Sequence, residues 1–171
     1  MEWGTLLSAA VGAVFGGSMT LAGQAIDYKR RHREEALARG RTNLVTIRDL
    51  LIDLINYFER VEPGLPEGLD DIRESATYTS DLNRLRGHAL VVTDHDVRKR
   101  LQDVLDVLWW LSPIADQCRK HWSFVGHEIA RHGLELAGAH IRDEPVLPMP
   151  GDVRRYVRVL EAVRVRERER S

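Results

Sequence analysis

The start of the chain carries an apolar pattern that differs from everything after it. From Trp3 to Ile26, twenty-four residues pass without a charge. A helix of that length, at about 1.5 Å per residue, covers the roughly 30 Å hydrocarbon core of a bilayer. Only Met1 and Glu2 precede the segment, so it lacks the positive start that a cleaved signal peptide has. The pattern therefore predicts one retained transmembrane helix, with residues 1–28 as the anchor.

A basic cluster follows the apolar segment directly. Its members are Lys29, Arg30, Arg31 and Arg33. Lys and Arg beside a spanning helix stay on the cytoplasmic side, and nothing basic flanks the other end. We therefore expect a single-pass protein of the cell membrane, with its N-terminus outside, a cytoplasmic C-terminal domain, and the lipid bilayer as its first partner.

Small residues recur within the predicted span. They lie every four residues, at Ser8, Gly12, Gly16 and Thr20. Such a ridge lets two helices approach closely in lipid, and it predicts a homo-oligomer. Two alternatives stay open: Gly and Ala are common in spanning helices, so the spacing arises by chance, or the segment is a Gly/Ala-rich helix buried in a protein core or at a filament seam.

Beyond the basic cluster, apolar residues recur at helical spacing and predict an antiparallel bundle of about four helices. Pro and Gly mark loops at residues 63–68 and 145–151. The first predicted helix runs from about Asp27 or Glu34 to Glu62. The others run from Leu69 to His88, from Thr93 or Asp94 to Leu136, and from Asp152 to Val163. The sequence thus predicts an all-α protein: the anchor, a cytoplasmic bundle over residues 29–163 that includes a basic juxtamembrane stalk, and a charged tail over 164–171.

The third predicted helix is the longest, because one apolar seam continues through it. The seam alternates steps of four and three, as in helices that pack nearly parallel in a coiled coil. Its members are Val97, Leu101, Val104, Leu108, Leu111, Ala115, Cys118, Trp122, Val125, Ile129, His132 and Leu136. Pro113 falls inside the run, so we expect a kink there, or a restart with Ser112 as N-cap.

Charge and cysteine content narrow the function classes. Lys and Arg number 25 against 26 Asp and Glu, which gives a net charge of -1. This balance gives no reason to expect a nucleic-acid partner. The single cysteine, Cys118, rules out an internal disulfide framework and is typical of a reducing compartment.

One polar set on the third predicted helix suggests chemistry. On an ideal helix, Cys118, His121, Glu128 and His132 fall within about 80° of one another. Cys, His and Glu are zinc ligands, so these four are candidate metal ligands in a bundle core. Against this, the H-E-x-x-x-H spacing from His127 is not the metalloprotease H-E-x-x-H, and Cys118 and His132 lie at seam positions.

No catalytic constellation or phosphate-binding loop accompanies these residues. Cys118 with His121 as base would lack a third group that orients the base. The sequence therefore favours a non-enzymatic, membrane-tethered helical scaffold or interaction module that self-associates, has an unidentified protein partner and needs no cofactor. The alternative is a metal-binding helical bundle, a sensor or an enzyme, that uses the Cys/His/Glu set.

Overall fold

The computed structural model describes the backbone of residues 3–60, 76–146 and 148–170. Side chains are described over 27–60 and 78–169, apart from positions 33, 36 and 147. Six helices and no strand lie within these ranges, which confirms the all-α class. The helices are α1 (Trp3–Arg60), α2 (Ala76–Leu90), α3 (His95–Trp109), α4 (Leu111–Cys118), α5 (Trp122–Ile141) and α6 (Gly151–Arg170).

The chain forms two compact units, residues 1–39 and residues 40–171. In the first unit every described side chain is exposed, from Asp27 to Arg39. Arg30 pairs with Glu34 one turn later at 3.0 Å. The described side chains of this part of α1 thus form no buried face within the unit.

Among the described residues, no helix has both the length and the hydropathy that a bilayer-spanning segment needs. The transmembrane helix predicted from Trp3 to Ile26 is therefore not supported by the structure. The small-residue ridge (Ser8, Gly12, Gly16, Thr20) and Arg33 lie outside the residues whose side chains are described. The predicted loop at 63–68 also lies outside the described residues.

The core of the second unit is built around α3. This helix packs against α2, α4, α5 and α6. The last part of α1 adds the buried stripe that its periodicity predicts, with Leu44, Ile47, Leu51, Leu54 and Phe58 each at most 3% exposed. The spacing of apolar residues thus identified the buried face over residues 44–58. It was wrong at Leu37, the first residue of the predicted stripe, which is 61% exposed.

The prediction of one long third helix, kinked near Pro113, is wrong. The helix is interrupted at Trp110 and again around Arg119. Three helices, α3, α4 and α5, therefore take the place of the single predicted one. Pro113 is the third residue of α4, where a backbone N–H has no intrahelical partner, so its missing donor is harmless. At the second break Arg119 adopts the left-handed conformation (φ 54°), and His121, not Ser112, is the N-cap that follows. The twelve predicted seam residues are nevertheless all buried.

The other helix boundaries follow their capping chemistry. Asp94 is the N-cap of α3, as predicted, and its carboxylate accepts hydrogen bonds from the N–H groups of Asp96 and Val97 at 2.9 and 3.0 Å. Asp152 lies in the first turn of α6, since that helix begins at Gly151. The helix then continues through the charged end of the chain, where residues 165–169 are exposed.

Candidate functional site

The four predicted ligand residues occupy different surroundings. Cys118 ends α4 and is buried, whereas His121 precedes α5 and is exposed. Glu128 and His132 both lie on α5. Throughout the residues whose side chains are described, no three His, Cys, Asp or Glu groups lie close enough to share a metal ion. The break between α4 and α5 removes the common helix face on which the predicted site depended.

His121 acts as a helix cap. Its Nδ1 accepts a hydrogen bond from the Ser123 N–H at 3.4 Å and lies 2.7 Å from the Ser123 hydroxyl oxygen. The ring also lies against Trp122, with 5.4 Å between ring centroids. The imidazole therefore satisfies the start of α5, as Ser or Asp does at other helix starts. Cys118, only 6% exposed, packs as a small apolar residue.

Glu128 belongs to a polar cluster that joins α5 to α6. The Lys120 ammonium donates to the Glu128 carboxylate at 3.2 Å and to the Tyr156 hydroxyl oxygen at 2.7 Å. The Tyr156 hydroxyl in turn donates a short hydrogen bond to the same carboxylate oxygen of Glu128. Asp152 lies 3.7 Å from the ammonium. Each charge of the cluster therefore has an opposite charge or a hydroxyl beside it.

The environment of the cluster fixes its protonation. Burial, with the hydrogen bond to Glu128, raises the pKa of Tyr156 to about 12. Burial by itself would lower the pKa of Lys120, but the hydrogen bonds to Tyr156 and Glu128 together raise it. Near neutral pH, Tyr156 is thus a neutral donor and Lys120 a cation. Neither group can act as a base there, and the cluster ties two helices together.

Sequence reasoning missed Lys120 and Tyr156. They stand 8 and 28 positions from Glu128. No local motif links residues at such separations. The sequence signal is that Tyr156 lies at helical spacing from Val153 and Leu160, which indicates a shared helix face but not a partner. Tyr156 is fully buried, and its hydroxyl needs a partner at that depth.

His132 has surroundings of another kind. It is 6% exposed, and its Nε2 is the one buried side-chain polar atom, within the described part of the chain, that has no hydrogen-bond partner. Burial lowers the pKa of this imidazole. His132 also lines a cavity of about 430 Å³ between α5 and the loop before α6.

The tryptophans of the second unit and the basic cluster after the apolar segment are divided between core and surface. Trp122 is buried against Phe58, with ring centroids 6.1 Å apart. Trp109 and Trp110 are half-buried, and the Arg86 guanidinium lies 4.5 Å above the Trp109 ring. By contrast, the described members of the basic cluster, Lys29, Arg30 and Arg31, are all exposed.

Comparison of this chain with known protein families, characterised proteins and solved structures finds no match. The class of this protein is therefore defined by its fold and its site alone. The second unit is an all-helical bundle, and the residues of the seam are buried inside it. In its polar cluster, Lys120, Glu128 and Tyr156 are joined by hydrogen bonds, and a cavity that His132 helps to line lies beside α5.

Proposed function

We propose that the chain is a membrane-tethered helical scaffold or interaction module, held by residues 3–26 and acting through its second unit. The observation that carries the proposal is the change of character along α1. Twenty-four uncharged residues are followed at once by a helical stretch whose described side chains are exposed all round, including Lys29, Arg30 and Arg31. Basic side chains in that position fit anionic headgroups, and Tyr28, 65% exposed, suits the same depth.

The same sequence supports a direction for the tether. Because Lys29, Arg30, Arg31 and Arg33 directly follow the apolar segment, the second unit is proposed to lie in the cytoplasm and the N-terminus outside. We also propose that the chain self-associates through Ser8, Gly12, Gly16 and Thr20. The second unit is proposed to bind a protein partner. The seam is not proposed as the surface for that partner, since all its residues are buried within the fold.

Membrane fractionation tests the tether. The double variant Val11→Asp/Val14→Asp places two charges in the apolar segment, which lipid strongly disfavours. The double variant is expected to be lost from the membrane fraction after an alkaline wash. The control Leu37→Asp, which introduces a charge at an exposed site of α1, is expected to remain in that fraction. If wild type is not retained, or if the double variant is retained as well as wild type, the tether is wrong.

Labelling in intact cells tests the direction. In a Cys118→Ser background, a membrane-impermeant maleimide is expected to label Glu2→Cys but not Arg168→Cys until the cells are opened. The opposite pattern would reverse the proposed topology. It would leave the tether itself standing, because fractionation measures that separately.

Chemical cross-linking tests self-association. Gly12→Leu/Gly16→Leu is expected to abolish cross-linked oligomers, since large side chains prevent close helix approach. Ala10→Leu, which falls on the other side of an ideal helix, is the matched control and is expected to preserve them. Oligomers that persist in the glycine variant would remove the small-residue ridge from the proposal.

A further inference from the structure

His132 is a titratable side chain inside the apolar core of the second unit. It occupies a position of the seam and is 6% exposed. The helices are closely packed at this level of α5. A Cβ atom built at the next residue, Gly133, would come within 3.0 Å of Val104 on α3 and within 3.2 Å of Leu51 on α1. The turn of α5 that carries His132 therefore lies directly against two other helices.

The Nε2 atom of His132 has no partner in the fold. Within the described part of the chain, it is the one buried side-chain nitrogen or oxygen that lacks a hydrogen bond. In a neutral imidazole with its proton on Nδ1, Nε2 carries only a lone pair. In the imidazolium both nitrogens carry a hydrogen, so Nε2 becomes a buried donor without an acceptor, which costs free energy. The folded chain therefore opposes protonation of this ring.

The charges on α5 and α3 give little compensation for this cost. On α5, Glu135 favours the imidazolium, but it is exposed and already pairs with Arg131 at 3.4 Å. On α3, Arg100 disfavours the imidazolium, because both groups would be cations. Burial outweighs the attraction of Glu135, and the pKa of His132 therefore lies below its ordinary value of 6.5.

The loop before α6 and the end of α1 add no net charge beside the ring. The cavity that His132 helps to line is bounded on the loop side by Arg142 and Glu144, which form an ion pair with each other at 2.7 Å. The apolar side chains of Leu136 and Val146 line it as well. From α1, the apolar Leu51 packs at this level. Both carboxylates that line the cavity, Glu135 and Glu144, are thus already paired with arginines.

We propose that His132 makes the second unit sensitive to acid: the ring accepts a proton only when α5 separates from the helices around it, so acid favours the opened bundle. Histidine is the side chain that titrates near neutral pH, and buried histidines act as switches in this way. The proposed interaction module would be stable at neutral pH and weakened in acid. The effect does not depend on the tether, since His132 and its neighbours all lie within residues 40–171.

The acid effect follows from the difference in proton binding between the folded and the unfolded chain. Above about pH 7 the ring is neutral in both states and has no effect. Below about pH 6.5 the unfolded chain binds a proton that the folded chain does not, so stability falls with the pH. If the folded chain excludes the proton completely, the folding equilibrium constant falls by roughly 30-fold between pH 7.5 and pH 5.0.

Urea denaturation of the purified full chain across this pH range tests the proposal. Wild type is expected to lose more stability in acid than His132→Leu, so that the ratio of their folding constants changes by up to roughly 30-fold. His127→Leu is the matched control on the same helix. The Nε2 atom of His127 lies 3.3 Å from the Glu59 carboxylate, so a proton there has an acceptor. This control is expected to lose at least as much stability in acid as wild type.

The wild-type ring gives a second readout that needs no variant. In the folded chain at about pH 6, the ¹⁵N chemical shifts of His132 are expected to be those of a neutral imidazole, and the hydrogen-exchange protection factors of α5 are expected to fall in acid. The proposal is overturned if the His132 signals of the folded chain titrate near pH 6.5, or if the protection of α5 does not fall. It is also overturned if folded His132→Leu loses as much stability in acid as wild type. If that variant does not fold, the wild-type measurements decide alone.

Discussion

At Gly126, the absence of a Cβ atom lets α5 lie directly against the ring of Phe58. A Cβ built there would come within 2.6 Å of two ring carbons. The ring cannot move aside easily, because it is buried and packs edge-on against Tyr78 and Trp122. Gly126→Ala is therefore expected to lower the free energy of unfolding by about 1–3 kcal/mol, measured by urea denaturation.

Gly87 provides the matched control for this change. It is an exposed residue of α2, and a Cβ there would meet nothing within 4 Å. Gly87→Ala should raise the free energy of unfolding by up to about 1 kcal/mol, because Ala favours helix. Equal effects of the two substitutions would contradict the close packing at Gly126.

Tyr156 gives the folded chain a dependence on alkaline pH. Its pKa of about 12 lies above the ordinary value of 10.0, so the folded protein holds this proton more tightly than the unfolded chain. The resulting stabilisation is complete below pH 10 and is lost as the pH rises through about 12. Between pH 9 and 12, Tyr156→Phe is expected to lose less stability than wild type does, as measured by denaturation at each pH. Tyr28→Phe, at an exposed tyrosine, should follow the wild-type curve, and parallel curves for Tyr156→Phe and wild type would refute the assignment.

At the scale of helices, burial was easier to predict than continuity. The seam from Val97 to Leu136 predicted twelve buried positions correctly, since apolar spacing reports which side of the chain faces the core. It could not show the break near Arg119, because no Gly, Asn or Pro marks that turn. The break in turn explains why the predicted ligand set fails: angles counted along one ideal helix do not hold between Cys118 and His121.

The left-handed backbone at Arg119 leads to a prediction about that break. A Cβ in this conformation costs roughly 1–2 kcal/mol, and Gly is the usual residue at such helix ends. Arg119→Gly is therefore expected to raise the free energy of unfolding by about 1 kcal/mol relative to Arg119→Ala, which keeps the Cβ. Thermal and urea unfolding of the two variants would measure the difference. If Arg119→Ala is the more stable, the backbone there is not left-handed.

For the whole molecule, the described core lies entirely within the second unit. Its buried apolar residues run from Leu44 to Val163, whereas the described side chains of the first unit are all exposed. A chain of residues 40–171 therefore contains every core contact that the structure describes. Local pattern predicted a large part of that core, including the twelve seam residues, but not Leu105, Val107 or Ile114, which are also buried. The pairing of Lys120, Glu128 and Tyr156 depends on how separate helices meet.

Truncation at the boundary between the units tests whether the second one folds by itself. A chain of residues 40–171 is expected to unfold cooperatively, with a free energy of unfolding within about 1 kcal/mol of that of the full chain, because no described core side chain is lost. A chain that starts at Ile55 loses Leu44, Ile47 and Leu51, each 1% exposed, and should not fold cooperatively. Circular dichroism and urea denaturation distinguish the two outcomes. A non-cooperative 40–171 chain would mean that residues 1–39 are needed for the fold of the second unit.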